Sequence, residues 1–196
     1  MNQKKVWDNI APEWHKFRQR PWPLVMDFLK SCKGKVLDLG SGSGRHLINI
    51  KNGKMFLVDY SKEMIKLAKE KVKEKNIEAE FKIGDSTKIP HKDNSFDYSI
   101  CIAVLHCMNK EDSERTLKEL YRVMKPKSKS LISVWNKNSE WFKNKKKEVK
   151  MKWRDKGLRD LYLFETVELE KLIKKVGFKI AKSHEGRNID IIAEKP

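Results

Sequence analysis

Apolar positions recur along this chain with two alternating periods. Val6, Ile10, Trp14 and Phe17 lie three or four apart in a polar stretch, which predicts an amphipathic helix over residues 1–17. Pro21-Trp22-Pro23 breaks that pattern, and residues 24–32 predict a second short helix. Compact β-rich runs follow at 35–39, 55–59, 79–83, 96–105 and 130–135. Helical spacing returns between them. Residues 44–51 are expected as a helix. Ser61 is placed to cap another that carries Met64, Ile65, Leu67, Ala68 and Val72, and 112–124 predicts a third that stops before Pro126. Thr166 is expected to cap a last helix ending at Gly177, with 178–182 and 190–194 as a closing strand pair.

Strands alternating with helices read as βαβ units, hence an α/β fold with a mostly parallel sheet flanked by helices. Seven β runs predict seven strands. The short connection before the last makes that strand antiparallel. The 196 residues fit one domain. Within it, 1–33 reads as a helical entry segment, 34–136 as the core and 137–158 as a basic insertion. Residues 159–196 read as a C-terminal substrate-side and edge-strand segment.

Charge changes the picture more than length does. Formal net charge is +17, which points to a polyanionic partner, because lysine and arginine displace counterions from phosphates. The segment 137–156 holds nine basic and three acidic residues, with Trp141, Phe142 and Trp153 interleaved. That mixture suits phosphate contact and base stacking, through Lys143, Lys145, Lys146, Lys147, Lys150, Lys152 and Arg154. It equally suits an amphipathic helix that buries its aromatics. Exposure of the aromatics separates the two.

Cys32, Cys101 and Cys107 form no C-x-x-C pair, so they read as core residues, and no metal site is expected. No apolar run approaches the ~20 residues of a membrane span, and residues 1–8 lack a leader's apolar stretch. A soluble cytoplasmic protein is the expectation.

The densest chemical signal is Asp38-Leu39-Gly40-Ser41-Gly42-Ser43-Gly44, directly after a predicted strand. Glycines at a strand's carboxyl end let a ligand approach the backbone. Asp59 ends the next strand, where a carboxylate can accept two ribose hydroxyl protons. Gly84-Asp85-Ser86 ends the strand after that. Asp97 opens the following strand, at the wrong end for a cofactor, and reads as structural. A nicotinamide enzyme would be expected to show Gly-x-Gly-x-x-Gly instead.

Asp-x-Gly-x-Gly-x-Gly resembles motif I of the class I S-adenosylmethionine-dependent methyltransferases. The resemblance implies their Rossmann-like fold and S-adenosylmethionine as cofactor. It implies a cofactor site of Asp38, Gly40, Ser41, Gly42, Gly44, Asp59, Tyr60, Asp85, Ser86 and Ala103. Trp7-Asp8-Asn9-Ile10-Ala11-Pro12 and Phe17-Arg18-Gln19-Arg20-Pro21-Trp22-Pro23 resemble the entry segment of one branch, the tRNA wobble-uridine carboxymethyl methyltransferases. Ile102-Ala103-Val104-Leu105-His106, Val134-Trp135 and Arg159-Asp160-Leu161-Tyr162-Leu163-Phe164 resemble later segments of it. Two places depart: Ser41-Gly42-Ser43-Gly44 stands for the family's Cys-Gly-Asn-Gly, and His106-Cys107 for a frequent pair of histidines.

By that resemblance the activity is esterification of the carboxylate of 5-carboxymethyluridine at the wobble position of tRNA. A carboxylate is already ionised at neutral pH and needs no strong base. It needs orientation, for which a guanidinium fork is suited. Arg18, His106 and Arg159 are the residues implied. The plainer alternatives are a surface ion pair of Arg18 with Asp8 or Glu13, and a core histidine at 106. Relatives often work with a small zinc-binding activator that adds strands at the sheet edge, here near 79–83. The rival functions are a small-molecule methyltransferase and a non-catalytic RNA-binding module on the same fold.

Overall fold

The computed structural model describes residues 2–196, so the start of the first predicted helix, Met1, lies outside the described residues. Two helices lead the chain, α1 (Gln3–Phe17) and α2 (Pro23–Ser31). Asn2 caps α1 by accepting from the N–H groups of Lys4 and Lys5, and Pro23 opens α2, where its missing N–H costs nothing. Val6 and Ile10 are buried as their spacing requires, but Phe17 is 57% exposed, with the Arg154 guanidinium 4.5 Å from its ring.

The main sheet has seven strands in the order β3-β2-β1-β4-β5-β9-β8. They are β1 (Lys33–Leu39), β2 (Lys51–Asp59), β3 (Ala79–Ile83), β4 (Phe96–Ile102), β5 (Met124–Trp135), β8 (Lys179–Glu185) and β9 (Asn188–Glu194). The first five are mutually parallel, and β9 runs antiparallel to both β5 and β8. This is the expected Rossmann-like class I methyltransferase arrangement, with an antiparallel last strand and an N-terminal helical extension. The central strands read as continuous apolar runs because helices cover both faces: residues 36–39, 55–59 and 99–102 are all buried.

Helices α3 (Lys62–Lys75), α4 (Lys110–Val123) and α5 (Thr166–Lys175) complete the layers. Ser61 caps α3 through its hydroxyl at 3.1 Å from the Met64 N–H, as predicted. Glu165, not Thr166, occupies the N-cap position of α5; the Thr166 hydroxyl instead donates to Glu185. One apolar cluster joins Leu37, Leu39 and Val58 to α4 and α5, and the other joins Val36, Leu57 and Ile100 to α2 and α3.

One further expectation fails, and one of the two readings of the basic segment is excluded. Residues 44–51 form turns and irregular chain, because Gly44 sits at φ +71° and β2 already begins at Lys51, leaving too few residues for a helix. The basic segment is not an amphipathic helix. After turns at 137–144 it forms a separate two-stranded antiparallel ribbon, β6 (Glu148–Trp153) and β7 (Gly157–Tyr162), which lies against α1. The ribbon runs across position 158. Asp97 is structural as expected, accepting from the Lys35 N–H at 2.9 Å and the Lys125 ammonium at 2.6 Å. Among the described residues no helix is long and apolar enough to cross a membrane.

Candidate functional site

A cavity of about 680 Å³ opens at the carboxyl ends of β1, β2, β3 and β4. Parallel strands converge their C-terminal loops on one side of the sheet, where α/β proteins bind ligands. The Asp38–Gly44 turn forms its floor. The N–H groups of Gly40 and Ser41 both donate to the Val58 carbonyl, which draws the turn across the end of β2. Gly40 holds φ +68°, and a Cβ there would lie 2.3 Å from Val104 Cγ2, so only glycine fits.

Three aspartates stand round this cavity in different electrostatic states. Asp38 is 2% exposed, and its Oδ2 has no hydrogen-bond partner. Burial and the nearby Asp59 carboxylate push its pKa up to about 8. An orphaned buried acceptor of this kind calls for a cationic partner. Asp59 is committed: Oδ2 accepts from the Gly42 N–H and Oδ1 from the Ser61 N–H, each at 2.9 Å. Burial raises it to about 6, with those backbone donors opposing the rise. Asp85 is exposed at the rim, with Oδ1 capping a short turn through the N–H and hydroxyl of Thr87.

Tyr60, Ser86 and Ala103 also line the cavity. Ala103 sits at φ +60°, a strained conformation for a residue with a Cβ, held by its N–H to Ser133 O at 2.8 Å. The strain brings the chain sharply off β4 and over the cavity. Gly44 is one step back, its N–H donating to the Ser41 carbonyl to close the turn. These residues fit S-adenosylmethionine. The orphaned Asp38 carboxylate matches an α-ammonium, Asp59 retains lone pairs for ribose hydroxyls, and Asp85 keeps an unengaged oxygen for an adenine amino group.

Arg18, His106 and Arg159 are brought together, but none of them lines this cavity; Arg18 and Arg159 lie against Trp14, which does line it. Arg159 points into a cluster of four tryptophans: its guanidinium lies 5.2 Å from the Trp153 ring, 5.8 Å from Trp7, 5.9 Å from Trp14 and 6.0 Å from Trp135. It is 4% exposed, forms no ion pair among the described residues, and its Nε has no partner. Burial lowers its pKa. Arg18, half-buried at the end of α1, lies 5.1 Å from the Trp14 ring with its Nε unpartnered.

The ion pairs that would make Arg18 ordinary are not formed. Asp8 accepts from the Ser61 hydroxyl at 2.6 Å, and Glu13 pairs with Arg154 at 3.6 Å. His106 is 2% exposed, stacks on Trp135 at 4.6 Å, and accepts the Trp135 N–H on Nδ1. Burial, and then Arg159, push its pKa down to about 3. It is therefore neutral with its proton on Nε2, a hydrogen-bond donor rather than a base.

Sequence reasoning missed two parts of the site. Arg45 also carries no ion pair among the described residues, donating to the Arg20 carbonyl at 2.7 Å; burial and Arg18 lower its pKa to about 10. The β6–β7 ribbon supplies Val149, Leu161 and Tyr162 as a cavity wall. The alternation Val149, Met151, Trp153 was the available signal for it.

The basic residues of 137–158 divide. Lys147 bridges Glu165 and Glu168, both at 3.0 Å, Lys143 pairs with Glu140 at 2.7 Å, and Lys150 reaches Asp160 at 3.8 Å. Lys145, Lys146 and Lys152 are exposed, with no ion pair among the described residues. Of the aromatics, Phe142 stacks on Trp135 at 4.9 Å and Trp153 packs on Trp14 at 5.0 Å, whereas Trp141 is 65% exposed.

A tRNA (carboxymethyluridine(34)-5-O)-methyltransferase of Xenopus tropicalis is 36% identical over 149 residues, 74% of this chain and 23% of that protein. Its counterpart in Schizosaccharomyces pombe is 32% identical over 134 residues, 67% of this chain and 56% of that one. The chain thus spans little more than half, or less, of these relatives. A Haloferax volcanii chain solved in complex with the Trm112 methyltransferase activator superposes with a TM-score of 0.71 at 16% identity, covering 97% of each chain. Residues 30–185 match the family described as a methyltransferase domain, and the chain belongs to that family.

Proposed function

We propose that this protein is an S-adenosylmethionine-dependent tRNA methyltransferase that esterifies the carboxylate of 5-carboxymethyluridine at the wobble position. The observation that carries the reading is the buried Arg159 guanidinium. Fully desolvated arginines almost always have an anionic partner. This one, with Arg18 beside the same Trp14, has none among the described residues. A substrate carboxylate supplies what both lack. The named relatives act on that substrate, and the net charge of +17 suits a nucleic-acid partner.

S-adenosylmethionine, when bound, supplies an electrophilic methyl group on a sulfonium. Asp38 and Asp59 would hold the cofactor at the floor of the cavity, which the strained turn at Ala103 also lines. Arg18 and Arg159 orient the carboxylate, and the tryptophans exclude water, which leaves the nucleophilic oxygen unsolvated. His106, neutral and with Nε2–H free to donate, fixes a carboxylate or uracil oxygen. The attacking group is a carboxylate that is already ionised at neutral pH, so the reaction needs no strong base.

For partners, tRNA is proposed on the same grounds, with Lys145, Lys146 and Lys152 as the phosphate contacts of the basic segment. A small activator protein is proposed at the β3 edge. That strand is one of the sheet's two terminal members, and Ile83 on it is 51% exposed. Zinc would belong to that partner.

Binding of 5-carboxymethyluridine nucleoside, compared with its carboxamide, tests the carboxylate site. The carboxylate should bind at least tenfold tighter, and the preference should vanish in Arg159→Met. Equal binding of acid and amide would defeat the assignment.

A further inference from the structure

Trp141 and Arg187 form a surface feature that neither methyl transfer nor cofactor binding uses. Trp141 is the most exposed large hydrophobic side chain described, at 65%. The Arg187 guanidinium lies 4.5 Å from its ring, and Arg187 is itself exposed, with no ion pair among the described residues. An indole held in water with a cation on one face presents an open π-surface on the other.

The two residues come from distant parts of the chain and are locked together by Asn136. This asparagine is 2% exposed. Its amide nitrogen donates to the Gly186 carbonyl at 2.9 Å and to Glu185 at 3.2 Å, and its Oδ1 accepts from the Asn138 N–H at 2.8 Å. Ser139 closes the turn by donating to the Asn136 carbonyl at 2.7 Å, and the Phe142 N–H donates to Ser139. The turn carrying Trp141 is thereby fixed to the β8–β9 hairpin carrying Arg187. Such preorganisation lowers the ordering cost of binding.

This feature also adjoins the reaction centre. His106, Trp135 and Phe142 stack face to face, at 4.6 Å and 4.9 Å, and Trp141 is the next residue in the chain. Arg187 lies close enough to Arg18 for their charges to interact. The neighbouring Lys145 and Lys146 have no carboxylate partners among the described residues. Exposed aromatic surface beside unpaired cations complements a single-stranded nucleic acid, whose bases stack while its phosphates pair.

We propose that Trp141 and Arg187 form a stacking platform for the base of an unpaired RNA nucleotide next to the one being modified. The platform holds the anticodon loop open while the target uridine enters the site. This rests on the tRNA reading above and goes beyond it by naming where a second nucleotide binds.

The test measures binding of a fluorescently labelled anticodon stem–loop RNA across a salt series, with wild type, Trp141→Ala, Trp141→Phe and Arg187→Ala. Trp141→Ala should weaken binding about tenfold with an unchanged salt slope, because stacking releases no counterion. Trp141→Phe should recover most of the loss. Arg187→Ala should weaken binding and reduce the salt slope by about one. Cofactor affinity, measured in parallel, should be the same in all four and shows that the fold is intact. If the RNA binds wild type and Trp141→Ala equally, the platform is wrong while the tRNA reading stands. If wild type binds no RNA, both fall.

Discussion

The raised pKa of Asp38 makes cofactor binding proton-linked, and Asp38→Asn isolates the effect. In the free protein Asp38 titrates at about 8, against an ordinary 3.8, because it is buried beside Asp59. At pH 6 about one molecule in a hundred carries the carboxylate, and at pH 7 about one in ten. On the proposed assignment only the carboxylate would pair with the cofactor's ammonium, and that pairing would lower its pKa in the complex. Binding therefore releases a proton. Affinity should rise about tenfold between pH 6 and pH 7, and level off near pH 8, where an α-amino group begins to lose its own proton. Asp38→Asn should bind about a hundredfold more weakly at pH 7, as expected for a broken buried pair, and should lack this slope.

Stability of the ligand-free protein gives the second reading of the same group. A carboxyl whose folded pKa is raised above its unfolded value favours folding at low pH. That advantage is lost as pH climbs from about 4 towards 8. The gap in stability between Asp38→Asn and wild type should therefore widen in the variant's favour with rising pH, by at most about 1.4 kcal/mol per unit. Isothermal titration calorimetry from pH 6 to 7.5, and urea unfolding over pH 5 to 8, measure the two effects. Parallel pH profiles for wild type and variant in both experiments would falsify the assignment of Asp38.

Three further outcomes follow from named contacts. Arg159→Met removes an unpaired buried charge from the tryptophan cluster, so it should raise stability by about 1–3 kcal/mol in urea unfolding while methyl transfer falls at least a hundredfold. A loss of stability would mean that Arg159 is a structural anchor. Gly40→Ala drives a methyl into Val104 at positive φ, and should cost about 1–3 kcal/mol and abolish the thermal shift caused by S-adenosylmethionine. Lys145→Glu with Lys146→Glu should weaken tRNA binding and flatten its salt dependence by about one unit per lysine. Lys147→Ala should instead lower stability, because Lys147 bridges Glu165 and Glu168; the reverse assignment of effects in a filter-binding series would overturn this division.

The parts of this fold that were legible in the chain are those governed by local rules. Val36–Leu39 and Met55–Asp59 read as strands because both of their faces are buried, and Ser61 read as a cap because a hydroxyl before an apolar helical stripe satisfies a free N–H. The Asp38–Gly44 turn and Asp59, which line the cavity, were legible as a candidate site because a glycine turn and an aspartate at consecutive strand ends need no tertiary information to be recognised. The helix expected at 44–51 failed on strand length: β2 begins four residues earlier than its apolar run, at Lys51. Strand β6 was obscured by its lysines: it has polar residues on one face and only three half-buried apolar ones, Val149, Met151 and Trp153, on the other. Arg45 and Arg187 had no local signature. Their significance comes from lacking carboxylate partners among the described residues, a property of the folded molecule alone.

The central claim is that the carboxylate of a modified wobble uridine is the methyl acceptor. Transfer of labelled methyl from S-adenosylmethionine to tRNA tests it most directly, using tRNA with and without 5-carboxymethyluridine, and protein alone and with an activator of the Trm112 type. The account predicts a base-labile methyl ester on wobble uridine, only in the carboxymethylated tRNA, and absent with Arg159→Met. Base-stable label on a ribose or a nucleobase, or no label in any RNA while the cofactor still binds, would contradict it.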